Sequence, residues 1–149
     1  MGRNVAPGRA SGAAARNIES ILRIEKEDER KLLLVEQYRI PVQARTIELP
    51  AGIVGDEPGD SNETLADAAK SIETLTTGPA SSGLTSEVVT LVLASGLKRL
   101  NAGGGIGHEC ITVHEVPLNQ VQNWLAAKAN EGLLVEPKVY AGLYFLGRA

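Results

Sequence analysis

A single cysteine, Cys110, is present in the whole chain, which excludes an internal disulfide and a cysteine-rich zinc site. Nothing around Cys110 marks it as a nucleophile, so it is expected in a strand as a small apolar side chain. Aromatic residues are scarce too, with three Tyr, one Trp and one Phe. That is too few for a platform on which nucleic-acid bases stack. Cationic surplus is also missing: 15 Lys and Arg stand against 18 Asp and Glu, for a net charge of −3, so there is no electrostatic case for binding a phosphodiester backbone or an anionic membrane. No apolar run approaches the ~20 residues that cross a bilayer. The expectation is a cytoplasmic protein that binds neither nucleic acid nor membrane.

What remains is a chain of 149 residues with 43% apolar content, long enough to bury one core. Residues 18–149 read as a single domain. The first 17 residues, MGRNVAPGRASGAAARN, carry Arg3, Arg9 and Arg16 and no acid. This composition partly matches an organelle transit peptide, but reads as a flexible arm. Met1-Gly2 opens a myristoylation pattern in which Ala6 occupies the position that requires Ser or Thr. No internal repeat is visible.

The rest alternates in short elements. Ser20 to Glu25 and Lys31 to Arg39 read as strands joined by the charged run between them, and Glu48 to Val54 as a third extended piece interrupted by Pro50. Ser61 or Asn62 can cap a helix running towards Gly78. The segment VVTLVLA, Val88 to Ala94, is short, β-branched and the strongest strand candidate. Glu109 to Val116 alternates again, Leu118 to Lys128 fits an amphipathic helix entered after Pro117, and Pro137 to Leu146 is a terminal helix or extended segment. The glycine-rich NAGGGIG, residues 101–107, lacks the lysine and hydroxyl of a phosphate-binding loop and reads as a plain loop.

The residues that carry most information run from Glu48 to Gly78, ELPAGIVGDEPGDSNETLADAAKSIETLTTG. Glu48-Leu49-Pro50-Ala51-Gly52, with Gln37-Tyr38-Arg39 ending the strand upstream, resembles the Nudix (MutT-like) superfamily, in particular its ADP-ribose and nucleotide-sugar pyrophosphatase branch. Gly83-Leu84-Thr85-Ser86-Glu87 and His108-Glu109-Cys110-Ile111-Thr112-Val113 are similar to later segments of that branch. The resemblance covers about residues 31 to 146, with two departures. Only four residues separate Gly78 from Gly83, where relatives have a further strand, and the β-rich N-terminal portion of the branch is mostly absent. The first alters the expected substrate pocket, the second the branch's swapped dimer. The resemblance implies an α/β (α+β) protein, a Nudix-like α/β/α sandwich with a mixed β-sheet.

It also implies a lesion. The family signature runs G-x5-E-x7-R-E-U-x-E-E-x-G-U, with U a bulky aliphatic, and its glutamates hold divalent metals that bridge a diphosphate and activate water. With Gly78 as the closing glycine, the arginine position falls on Ser71 and the glutamate positions on Ile72, Leu75 and Thr76. At about 100° per residue Leu65, Ala68, Ala69, Ile72, Leu75 and Thr76 share a helix face, with Glu73 at its edge. No shift of register restores a carboxylate cluster. The stripe therefore reads as the core side of an amphipathic helix, the alternative being a metal-binding helix.

The remaining polar candidates divide as follows. Arg39 is a substrate contact, through phosphate, or a strand end in solvent. Glu48 is a substrate or metal contact, or a structural hydrogen-bond acceptor. Ala51 offers a metal only its backbone carbonyl. Glu87 and Glu109 are the best carboxylates left for a metal, and Glu109 and Glu73 the candidates for catalysis. His108 and His114 share strand parity but stand six residues apart, too far to chelate one ion alone, and read as solvated. Three functions follow: a Nudix-like protein with impaired or lost hydrolysis that binds a nucleoside diphosphate derivative; a hydrolase of ADP-ribose or nucleotide sugars that uses Mg2+ or Mn2+ at a rearranged site; or a non-catalytic interaction module, which needs no cofactor. A homodimer is compatible with each.

Overall fold

The computed structural model describes residues 16–26, 29–53, 69–97 and 110–147. Strands β1 (Arg16–Lys26) and β2 (Glu29–Arg39) form a long antiparallel pair. A 3-10 turn (Ile40–Val42) leads into β3 (Ala44–Glu48), and β4 (Ala51–Ile53) follows. Then come β5 (Ser71–Pro79), β6 (Val88–Ser95), β7 (Thr112–Pro117), helix α1 (Val121–Asn130), β8 (Leu134–Val135) and helix α2 (Pro137–Leu146). The strands make one mixed sheet along the path β5-β6-β1-β2-β3-β8, with β4 added to β1 and β7 to β2. β1–β6 and β3–β8 are parallel and the other pairs antiparallel. The α+β class and mixed sheet expected from the sequence are both present.

The register shows how the sheet divides. Leu33 pairs with Leu22 of β1 and Glu115 of β7, and Val35 with Glu48 of β3 and Val113 of β7. β1 and β3 therefore share one edge of β2, and β7 has the other. After Glu48 the chain passes Leu49 and Pro50 and joins β1, where Ala51 pairs with Glu19. Pro50, which has no N–H to give a ladder, sits at the crossing.

Burial explains the central strands. Leu32 and Leu34 are fully buried while Leu33 and Val35 are partly covered, and in β6 five of the six residues from Val89 to Ala94, all but Thr90, are buried, on both faces. Continuous apolar runs of this kind belong to strands covered on both sides. α1 docks through Val121 and Leu125, and α2 through Val139, Gly142 and Leu146. Pro137 opens α2 at a position whose N–H has no partner within the helix.

Two expectations need correction, and others fall outside the described residues. Residues 71–79 are strand, not helix: Ser71 to Pro79 pair with Ser95 to Val88, with a bulge between Thr74 and Thr76. Four of those nine residues, Ile72, Thr74, Thr76 and Thr77, are β-branched and Gly78 and Pro79 follow, a composition that favours extended backbone. The bulge leaves Leu75 unpaired, and that side chain packs against the core. The helix expected from Ser61 or Asn62 falls, up to residue 68, outside the described residues, as do the glycine-rich loop, His108 and Glu109. Cys110 precedes β7 rather than lying in it and is exposed.

The start of β5 is tightly fixed. Lys70 donates its N–H to the Ser95 carbonyl at 3.0 Å, and the Ser71 and Ser95 hydroxyls lie 2.8 Å apart. Gly96 has φ +65°, and a Cβ there would stand 2.8 Å from Lys70 Cβ. Gly96→Ala combines a left-handed backbone, about 1–2 kcal/mol for an L-residue, with that clash. It should lower stability by at least that amount in urea unfolding followed by Trp124 fluorescence; an unchanged midpoint would contradict the junction.

Candidate functional site

Of the candidates named from sequence, the structure brings Arg39 and Glu48 into contact. Both lie on the β2–β3 hairpin, whose register sets Arg39 opposite Ala44 and Val35 opposite Glu48. Arg39 Nε donates to Glu48 Oε1 at 2.8 Å and Nη2 to Oε2 at 2.5 Å. Thr46 Oγ1 donates to Oε1 at 2.5 Å and Gln37 Nε2 to Oε2 at 3.3 Å. Each carboxylate oxygen thus accepts two hydrogen bonds, which matches its two lone pairs. The Glu48 side chain is 9% exposed. Burial alone pushes its carboxyl up, but the hydrogen bonds of Arg39 and Thr46 and the charges of Arg39 and Lys138 outweigh it, holding Glu48 below the usual carboxylate range.

A second cluster, which sequence reading missed, occupies the opposite face of the same strands. Arg45 Nε donates to Glu36 Oε1 at 2.7 Å, and His114 Nε2 lies 2.9 Å from Glu36 Oε2. The His114 ring meets Trp124 of α1 at a centroid distance of 5.0 Å, and Lys128 lies 5.7 Å from the same indole. Burial pushes the Glu36 carboxyl up, yet the hydrogen bonds of Arg45 and His114 prevail and hold it low. His114 is therefore three-quarters buried and engaged, not solvated as expected. A signal existed: each hairpin ion pair joins residues nine apart, the separation a short turn after Arg39 brings together on two faces.

Of the other candidates, Glu109 lies outside the described residues, and Ala51, Glu73 and Glu87 lie on or beside other strands. Glu73 is exposed on β5, opposite Leu93, with β6, β1 and β2 between it and β3. Ala51 on β4 and Glu87, just before β6, flank the same end of β1, whose Glu19 pairs with Ala51 and Leu91. Glu87 closes the β5–β6 hairpin: its carbonyl accepts from Ala80 N–H at 3.1 Å and its N–H bonds Thr85 Oγ1 at 3.3 Å. Ile72, Leu75 and Thr76 lie on β5. Among the described residues no three His, Cys, Asp or Glu side chains form a group that can hold a metal. With Glu109 outside the described residues, the described candidates alone do not complete a site for the divalent ion that the resemblance implies.

The sheet order and helices can now be compared with known structures. An ADP compounds hydrolase aligns over 89% of this chain and 71% of its own, with TM-score 0.60 and 15% identity. A MutT/nudix family protein from Enterococcus faecalis aligns over 72% and 45%, with TM-score 0.50 and 20% identity. The chain has the Nudix fold. No protein-family model matches it. A curated relative of similar sequence, a methanol dehydrogenase activator from Bacillus methanolicus, is 29% identical over 109 residues, 68% of this chain and 59% of the relative. Within this Nudix fold, no described helix is long and apolar enough to cross a membrane.

Two predictions follow. Arg39→Met leaves the Glu48 carboxylate, 9% exposed, with only the neutral donors Thr46 and Gln37 and should cost about 3 kcal/mol, whereas Arg45→Met leaves Glu36 its contact with His114 and should cost less; equal losses in urea unfolding would contradict a share of His114 in holding Glu36. Because Glu36 and Glu48 are held below their unfolded values, their contribution is present above the usual carboxylate range and lost as pH falls through the folded values. Glu48→Gln should flatten that acid limb of the stability profile; an unaltered limb would show that Glu48 does not contribute to it.

Proposed function

We propose that this Nudix-fold chain is impaired in or has lost hydrolysis and acts by binding a nucleoside diphosphate derivative, such as ADP-ribose or a nucleotide sugar. The observation that carries this reading is the engagement of Glu48, the carboxylate of the Glu48-to-Gly52 lead-in. Residues 71–79 form a strand of the sheet and so are not the helix that bears the family's metal-binding glutamates, and Ser71, Ile72, Leu75 and Thr76 offer no carboxylate to Mg2+ or Mn2+. Glu48 accepts four hydrogen bonds, from Arg39, Thr46 and Gln37, which leaves its oxygens no lone pair for a metal. The lead-in strands persist, and a fold can keep a binding surface after losing its chemistry. Arg39 and Glu48 support that surface by holding the hairpin. Catalysis by Glu73 or Glu109, with Ala51, Glu87 and Glu109 as metal ligands, is the rival within the same fold.

The match to a methanol dehydrogenase activator supports a second reading, a non-catalytic interaction module that regulates an enzyme. The chain spans 59% of that relative's length, so the relative's activity is a proposal for this chain.

One experiment separates these readings. The protein is incubated with ADP-ribose, nucleotide sugars and dinucleoside polyphosphates in Mg2+ or Mn2+, and released phosphate esters and thermal stabilisation are both measured. The proposal expects no turnover and a raised melting temperature with at least one ligand. Turnover that disappears in Glu109→Gln would establish a rebuilt catalytic site instead, and neither turnover nor stabilisation would leave the interaction module.

A further inference from the structure

Thr46 has one hydroxyl proton and two acceptors in reach. Its Oγ1 lies 2.5 Å from Glu48 Oε1 and 3.2 Å from the Gln37 carbonyl oxygen, and a hydroxyl with a single proton donates to one of them at a time. While Glu48 is ionised the proton goes to Oε1, because a carboxylate only accepts and the charge shortens the bond. A protonated Glu48 reverses the order. Its Oε1–H donates to Thr46 Oγ1, and Thr46 turns its own proton to the Gln37 carbonyl. Oε2 still accepts from Gln37 Nε2 at 3.3 Å, so both carboxyl oxygens keep a partner without any cation. The site is built for two protonation states, and only the ionised one needs Arg39.

The surroundings let those states exchange. Arg39 and Gln37 reach Glu48 from β2 and Thr46 from within β3; Lys138 of α2 adds its charge, and its ammonium pairs with Glu136 at 2.7 Å. The Glu48 side chain is 9% exposed but that of Arg39 46%, so an anion in solvent meets the guanidinium without entering the core.

We propose that the Glu48–Thr46–Gln37 relay couples the binding of an anion at Arg39 to the uptake of one proton. This rests on the reading of the chain as a binder of nucleoside diphosphate derivatives, whose phosphates are the anion. A phosphate that draws Arg39 away deprives a buried carboxylate of its cation. A solvent proton then adds to Oε1, Thr46 turns to the Gln37 carbonyl, and no buried hydrogen bond is left unmade; no other bond forms or breaks. In the unliganded chain burial pushes the Glu48 carboxyl up, but the hydrogen bonds of Arg39 and Thr46 and the charges of Arg39 and Lys138 hold it low. With Arg39 on the phosphate, burial gains the upper hand. Between those two values the complex carries one proton more than the separate partners, so affinity rises as pH falls, and ligand and proton favour each other equally.

Calorimetric titration with ADP-ribose from neutral to mildly acid pH, in buffers of different ionisation enthalpy, tests the coupling. The expected result is uptake of up to one proton per ligand bound and a Kd that increases up to about tenfold for each pH unit of rise. Glu48→Gln, whose side chain is neutral at every pH, should bind with no proton uptake and no pH dependence. Binding by the wild type that ignores pH and takes up no proton overturns the coupling and leaves the function standing. Absence of binding at every pH refutes the function instead, and the relay is then judged without ligand. Nuclear magnetic resonance at neutral pH should show the Arg39 Nε–H exchanging with solvent faster in Glu48→Gln than in the wild type while the β2–β3 amides stay protected; an unchanged rate overturns the relay.

Discussion

The contact between Arg39 and Glu48 holds the point on which the architecture turns. Glu48 is the last residue of β3, and immediately after it the chain leaves the ladder with β2 and joins β1. A carboxylate buried at such a crossing is costly unless its oxygens are satisfied. Arg39 supplies two donors and a full charge, and Thr46 and Gln37 complete the set. The balance of a burial penalty against four hydrogen bonds favours the ion, and it also consumes the ion. Glu48 is more valuable as the pin of the hairpin than as a ligand.

The same two strands are tied on their other face by Glu36 and Arg45, and this second tie extends outward. His114 of β7 shares the Glu36 carboxylate and meets the Trp124 ring of α1 at a tilt of 59°. Alternation of Ile47 and Leu49 with Thr46 and Glu48 resists a slip by one residue, since that would exchange the two faces. It does not resist a slip by two. Residue-specific contacts such as these ion pairs, together with the left-handed Gln43 that ends the turn at φ 50°, supply the remaining restriction.

Much of this architecture was legible in the chain. Strands β2, β6 and β7 and helix α1 follow from apolar runs, alternation and proline placement, whereas the sequence of residues 137–146 fits a helix or an extended segment, and β7 turns Val116 inward while Val113 stays exposed. The error at residues 71–79 has a physical origin. Ile72, Leu75 and Thr76 satisfy a helical stripe, but the Thr-rich composition and the presence of β6 as a partner favour the sheet, and tertiary pairing overrides a short period. The site was less legible. Nothing in the sequence states that Glu48 has no lone pair left, because that depends on Thr46 and Gln37 being brought to it by register. Glu36 and His114 are 78 residues apart, and only the β2–β7 pairing makes them neighbours.

The account rests on residues 71–79 being a strand of the sheet and not a metal-binding helix. Nuclear magnetic resonance of the labelled protein, with and without Mg2+, tests that directly. The expected spectrum shows extended-backbone Cα and Cβ shifts from Ser71 to Pro79, cross-strand contacts between Glu73 and Leu93 and between Gly78 and Val89, and no change on adding the metal. Helical shifts over Ile72 to Thr76, or signals there that move with Mg2+, would contradict it.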